Sequence, residues 1–256
     1  MAVNPARRRQ GAQFLGVSFA DYSVPEAVAW VFDAAAGERF SYVVTPNVDH
    51  IVMLNDDGPE PWRAAYRAAV AASDLVVNDS RILARLARLS DVRLSVTPGS
   101  DLVRELVARA CETSGTMALV GGDAAESRWL EGALPHWRIL HCDPPMGVRD
   151  DPESQETIAR FVEVSRADLV LFAIGAPQSE IVAHAIARRG RARGVALCIG
   201  ASVEFLSGSK RRAPGWMQKA GLEWFFRLVS EPGRLWRRYL VRGPRVFGLW
   251  WTARGG

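Results

Sequence analysis

The sequence predicts an α/β protein: a Rossmann-like parallel sheet with helices on both faces, extended by a helical, basic C-terminal appendage. Three observations carry this. Short, almost continuously apolar runs recur along the chain, as expected of strands buried on both faces. Amphipathic patterns of helical length separate them, and that alternation implies parallel strands joined by right-handed crossovers. The third observation is charge: 207–256 holds 11 Lys+Arg against 2 Asp+Glu, whereas the preceding 206 residues hold 21 against 26. The split divides the chain into a Rossmann-like domain over 1–206 and an appendage over 207–256.

Taken in order, FLGVSFA at 14–20 reads as a short strand. A helix comes next over 25–36, with Pro25 early and Gly37 as a stop. Further strands are expected at 40–45 (FSYVVT), 74–78 (DLVVN), 116–120 (TMALV), 138–142 (RILHC), 168–174 (DLVLFAI) and 195–199 (VALCI). Helical patterns cover 100–114, 123–132, 152–165 and 178–189. The first of these puts Leu102, Val103, Leu106, Val107 and Ala110 on one face, with Asp101 in its first turn. No internal repeat or low-complexity tract interrupts the pattern.

Composition narrows the class. At 48% apolar and 23% charged, the chain has enough apolar material for a substantial core, which excludes extensive disorder. Cys111, Cys142 and Cys198 are odd in number and widely spaced, with no C-x-x-C and no histidine at metal-ligand spacing. They read as reduced, mostly buried thiols. The opening MAVNPARRRQ is basic, but Asp21 and Glu26 interrupt the next apolar residues before a signal-peptide core forms. No apolar run approaches the roughly 20 residues of a spanning helix, so a cytoplasmic chain is expected. Five of the nine tryptophans lie among the appendage arginines, a surface suited to a partner that is anionic and partly apolar. Nucleic acid and membrane both fit that description, and the absence of any recognisable nucleic-acid module favours membrane.

Polar residues and glycines gather after the predicted strands: T-P-N at 45–47, N-D-S at 78–80, G-G-D at 121–123, D-P-P at 143–145, G-A-P at 175–177 and G-A-S at 200–202. In open α/β sheets the ligand crevice lies at that edge, so all six loops are expected at one site. Gly121, Gly122 and Gly200 either let backbone N–H groups approach phosphates or simply make tight turns. Neither G-x-G-x-x-G nor G-x-x-x-x-G-K-[ST] is present. Asp79 is placed either to cap the next helix, the commoner duty for Asp before an apolar run, or to act as a general base. Thr45 and Asn47 can cap the helix after the second run, with His50 one turn on as a half-buried neighbour. Glu204, beside the appendage, can act on substrate or pair with Arg211 or Arg212. The stripe Trp216, Trp224, Phe225, Leu228 has near-helical spacing and can pack on the body, although packing alone does not require Arg234, Arg237, Arg238, Arg242 and Arg245 together.

Several stretches carry a resemblance: T-P-N-V-D-H at 45–50, N-D at 78–79, P-G-S-D-L at 98–102, P-P at 144–145 and G-A-P at 175–177. The longest are R-R-A-P-G-W-M-Q-K-A-G-L-E-W at 211–224 and E-P-G-R-L-W-R-R-Y at 231–239. Over roughly 14–247 the chain resembles the WecG/TagA/CpsF family of bacterial glycosyltransferases. The resemblance implies metal-independent, inverting transfer of a sugar, typically of N-acetylmannosamine type, from a UDP-sugar to a polyprenyl-diphosphate-linked saccharide, in cell-envelope or exopolysaccharide synthesis. It implies no cofactor and a peripheral place on the inner face of the cell membrane, and it leaves homo-oligomerisation open.

By the same resemblance Asp79 is the base. Thr45 and Asn47 line its pocket by that resemblance; Gly121, Gly175, Gln178, Gly200 and Glu204, from their places after the strands, are further substrate-binding candidates. Arg234, Arg237 and Arg238, with Arg211 and Arg212, would meet the diphosphate and the membrane. Where the family usually has G-A-P-K-Q-E, Gln178 and Ser179 replace Lys and Gln. Ser80 stands for Gly, and V-E at 203–204 for F-D. A non-catalytic sugar-nucleotide or lipid-diphosphate binding protein of the same fold is the alternative reading.

Overall fold

A computed structural model describes residues 11–255; the basic opening MAVNPARRRQ lies outside the described residues. The chain begins with an antiparallel hairpin, β1 (Ala12–Phe14) and β2 (Val17–Phe19). It continues through α1 (Val24–Ala35), β3 (Ser41–Val44), α2 (Val48–Leu54), α3 (Pro61–Ala72), β4 (Leu75–Val76), α4 (Arg81–Arg88) and α5 (Gly99–Ala110). Then come β5 (Gly115–Val120), α6 (Ala124–Ala133), β6 (Trp137–Cys142), α7 (Pro152–Ser165), β7 (Leu169–Phe172), α8 (Gln178–Arg189) and β8 (Val195–Cys198). The last segment folds as α9 (Ser202–Leu206), α10 (Gly215–Ala220), α11 (Glu223–Ser230), α12 (Pro232–Trp236), a π-turn over Arg237–Arg242 and α13 (Arg245–Gly255).

Six strands form one parallel sheet in the order β4-β3-β8-β7-β5-β6. The predicted α/β class is therefore what the chain adopts. Strands β3, β7 and β8 are buried at every position, because alternate side chains enter separate cores. Tyr42, Val44, Val170, Phe172 and Ala196 pack with Tyr66 of α3, Ile158 of α7 and Val182 of α8. Val43, Leu169, Leu171, Val195 and Leu197 pack with Val28 of α1, Leu106 of α5 and Leu130 of α6. Each buried Val, Leu, Ile or Phe among them contributes about 1.5–3 kcal/mol of transfer free energy. Of the three cysteines only Cys198 is buried with them, Cys111 being exposed and Cys142 half-buried, against the expectation that most would be buried.

The 14–20 run is not a strand of this sheet. Leu15 and Gly16 both take positive φ (47° and 78°) and turn it into the hairpin, a left-handed pair that favours two short antiparallel strands over one. The hairpin covers the sheet edge, with the Ala20 N–H donating to the Val76 carbonyl at 2.8 Å. The appendage packs over the C-terminal ends of the strands. Its buried anchors include Ala213, Leu235 and Val246, and its polar ties include Arg212 to Asp101 at 2.8 Å, Arg245 to Asp56 at 3.3 Å and the Trp250 indole N–H to Ser90 Oγ at 2.9 Å. The Trp216–Leu228 stripe does not enter the core: Trp216 is 66% and Phe225 47% exposed.

Candidate active site

A cavity of about 790 Å³ opens between the strand ends and the appendage. Its body side comes from the loops after β3, β4, β7 and β8, with Thr45, Asn47, Asp79, Gly175, Gly200 and Glu204 in the wall. Its other side is the appendage, which contributes Glu223, Trp224, Arg227, Arg234 and Arg238. The loops after β5 and β6 do not take part. In the observed strand order these two strands form the far edge of the sheet, so the expectation of six loops at one site is corrected to four.

Asp79 is the most constrained acid here. Its backbone N–H donates to the Pro46 carbonyl at 3.0 Å, tying the β4 loop to the β3 loop. The buried Asn78 side chain braces the same turn, donating to the carbonyls of Ser80 and Ser95 and accepting from the Ser80 N–H. The cap of α4 is Ser80, whose Oγ accepts from the Leu83 N–H at 3.2 Å. Asp79 instead accepts the Gly99 N–H at the start of α5, 2.8 Å from Oδ1. Its second oxygen has no protein hydrogen-bond partner among the described residues. Gly99 admits no side chain without crowding: an added Cβ would lie 3.2 Å from Ser202 Oγ and 3.4 Å from Thr45 Oγ1. Burial pushes the Asp79 carboxyl up to about 6; the Gly99 N–H opposes the rise, Glu223 adds to it, and His50 and Arg227 oppose it. Two of those influences come from the appendage.

Around Asp79, Thr45 Oγ1 donates to the Cys198 carbonyl at 3.1 Å and locks β3 to β8. Asn47 caps α2, its Oδ1 accepting from the Asp49 N–H at 3.0 Å, while His50 Nδ1 accepts the Asn47 N–H at 3.2 Å. The other ring nitrogen of His50 lies 3.7 Å from Oε1 of Glu180, a carboxylate only 2% exposed. Oε2 of Glu180 and the hydroxyl of the buried Tyr66 lack hydrogen-bond partners among the described residues. Buried polar atoms of this kind are uncommon in folded proteins.

The remaining candidates either lie outside the cavity or, as with Glu204, line it while engaged with another partner. Gly121 is outside the cavity wall. It has φ of 79° and an added Cβ would meet Ile174 at 2.6 Å, so it is a turn glycine at which the chain after β5 closes against the chain after β7. Gln178 turns back to donate to the Ile174 carbonyl at 2.5 Å. Glu204 pairs with Lys210 at 2.5 Å, rather than with Arg211 or Arg212. Arg211 is exposed, Arg212 is held by Asp101, and the Arg237 guanidinium lies 5.2 Å from the centre of the Trp236 ring; none of the three lines the cavity.

Asp49, Asn78, Gly99, Glu180, Glu223 and Arg227 are site or support residues that residue type alone does not single out. Asn78, Asp49 and Gly99 do fall within N-D, T-P-N-V-D-H and P-G-S-D-L. Among the described residues no group of three or more His, Cys, Asp or Glu side chains converges as a metal-binding set, and no helix is long and apolar enough to cross a membrane.

A family model described as the glycosyl transferase WecG/TagA/CpsF family matches residues 12–255. Among solved structures, the laminin-binding protein Lbp of Streptococcus pyogenes aligns over 75% of this chain and 99% of its own at 13% identity and a TM-score of 0.25. That likeness is too distant to bear on fold or function.

Proposed function

Since the chain belongs to the WecG/TagA/CpsF family of glycosyl transferases, enzymes of cell-envelope polysaccharide synthesis, we propose that it moves a sugar from a UDP-sugar to a polyprenyl-diphosphate-linked saccharide with inversion, using Asp79 as base. The observation that supports this most is the shared cavity: Asp79 with a free carboxylate oxygen on the body side, and Arg227, Arg234 and Arg238 on the appendage side.

In this reading the acceptor hydroxyl oxygen attacks the anomeric carbon as its proton passes to the free oxygen of Asp79. The bond from that carbon to the diphosphate oxygen breaks, and the nucleoside diphosphate leaves with the electron pair. A carboxyl near 6 is mostly ionised at neutral pH yet basic enough to take the proton. Arginines at the departing diphosphate stabilise the charge that develops there. The appendage thus serves both as part of the site and as the membrane-facing surface: nine of the twelve exposed large apolar side chains among the described residues lie within it. The proposed place of work is the inner membrane face, where an apolar and cationic surface meets anionic lipid.

A screen of nucleotide sugars against lipid-linked mono- and disaccharide acceptors, read by mass spectrometry, tests the assignment. Transfer of one sugar identifies donor and acceptor. Nucleotide binding with no turnover on any acceptor would reduce the chain to a binding protein.

A further inference from the structure

Among the described residues, Asp49 is the one acid in the cavity wall that touches two appendage arginines. It is 8% exposed. Its Oδ2 lies 3.2 Å from Nε of Arg238 and its Oδ1 3.6 Å from Nε of Arg242. Both are ion-pair contacts on the Nε side of the guanidinium rather than hydrogen bonds, since Arg238 Nε and Asp49 Oδ1 have no hydrogen-bond partner among the described residues. The terminal nitrogens, which make the forked contacts to phosphates and carboxylates, are left to other partners. Arg238 Nη2 reaches Asn47 Oδ1 at 3.5 Å, at the limit of hydrogen bonding.

The backbone cooperates. Arg238 and Arg242 sit in the π-turn, closed by a 2.8 Å bond from the Gly243 N–H to the Arg238 carbonyl. Arg238 and Arg242 are four residues apart in it and so share one face, from which both reach Asp49. Turns of this kind are rare and frequent at functional sites.

We infer that Asp49 is a positioning residue for the diphosphate: it holds Arg238, and with it Arg242, by the Nε edge so that the terminal nitrogens of Arg238 meet the anion. The inference rests on the reading of the cavity as a nucleoside diphosphate site. It runs against simple electrostatics, by which deleting an anion beside an anion site tightens binding. A free arginine side chain has many rotamers to lose on being ordered, and the π-turn contributes no buried side chain of its own to the core. Without the carboxylate nothing else among the described residues fixes the direction of Arg242.

Calorimetric titration with UDP and with inorganic pyrophosphate tests this on the full chain. Asp49→Asn is expected to weaken both by about tenfold, the usual scale for losing a residue that orients a ligand-binding one, and Asp49→Glu to restore part of the loss. In an Arg238→Gln/Arg242→Gln background, Asp49→Asn should change nothing further, since its effect passes through those side chains. A general disturbance of α2 would weaken binding in both backgrounds and overturn the inference. Equal or tighter binding by Asp49→Asn would overturn it too, and would make the carboxylate a competitor of the ligand. A wild-type chain that binds neither probe would overturn the diphosphate reading itself, and the role of Asp49 with it.

Discussion

The backbone N–H of Gly99 donates to Oδ1 of Asp79 across 2.8 Å, so one carboxylate oxygen is committed to the start of α5 and the other is left to the cavity. A carboxylate held this way has a fixed direction. It also keeps a fixed partner for its negative charge, since the first N–H groups of a helix lack partners within the helix.

Replacing Asp79 by Asn should lower transfer by roughly 10²–10⁴-fold, the range for losing a general base, while the amide oxygen still accepts from Gly99. The fold should gain. Because the folded state raises the carboxyl to about 6 from an ordinary value of 3.8, ionisation of Asp79 weakens the fold as pH rises through about 6, by at most about 3 kcal/mol. The Asn chain should therefore melt higher than wild type at pH 8 and close to it at pH 4, as read by thermal unfolding at the two pH values.

The pH dependence of transfer should show an acidic limb centred near 6 and a plateau above it. Glu223→Gln removes an influence that raises the carboxyl and should move the limb to lower pH. Arg227→Gln removes one that lowers it and should move the limb upward. Initial rates across pH 4.5–9 at saturating substrate would show both displacements.

Truncation after Gly208 should reduce transfer by on the order of 10²-fold or more even to a soluble acceptor analogue, since Arg227, Arg234 and Arg238 leave the cavity with it. Full activity of the shortened chain in that assay would make the segment a tether only. Circular dichroism is the needed control, because Leu235 and Val246 are buried against the rest of the protein.

Serine at Trp216, Phe225, Trp236 and Trp251, all exposed and outside the cavity wall, should release the protein from anionic vesicles in a flotation assay. Transfer to a soluble acceptor should survive. Raising salt should weaken the association of the wild type, as each basic residue near the surface contributes about 1 kcal/mol through a screened interaction.

Ser80→Ala should destabilise the fold by about 1 kcal/mol through loss of the α4 cap, whereas Ser80→Gly should cost only a few tenths. Denaturant midpoints of the two variants would distinguish them.

Much of the body is legible in the sequence because its strands are apolar on both faces and its helices carry clear stripes; α7 and α8 fall at 152–165 and 178–189 as their periodicity predicts. Helix α3 is far less visible, since PWRAAYRAAVAA buries only Tyr66, Ala69 and Val70, too thin an apolar stripe to stand out. Which strand ends share a cavity depends on the lateral order of the strands, and apolar runs carry no record of that order. Gly121 illustrates the point: a glycine after a strand looks the same whether it approaches a phosphate or Ile174. The chemistry of Asp49, Glu180 and Tyr66 arises from contacts distant in sequence, and residue type alone does not disclose it. The appendage is legible in charge and helicity, but not in its division into short helices around a π-turn.

The reach from Arg238 to Asn47 spans 191 residues. At the pace of translation, about 5–20 residues per second, the cavity waits on the order of 10–40 s between the appearance of its first wall and its last. Because β8 lies between β3 and β7, the sheet closes only once Cys198 has been made, late in that interval. Asp79 is therefore made and seated in the sheet before Arg227, Arg234 and Arg238 exist, and the cavity they share is among the last parts of the molecule to be completed.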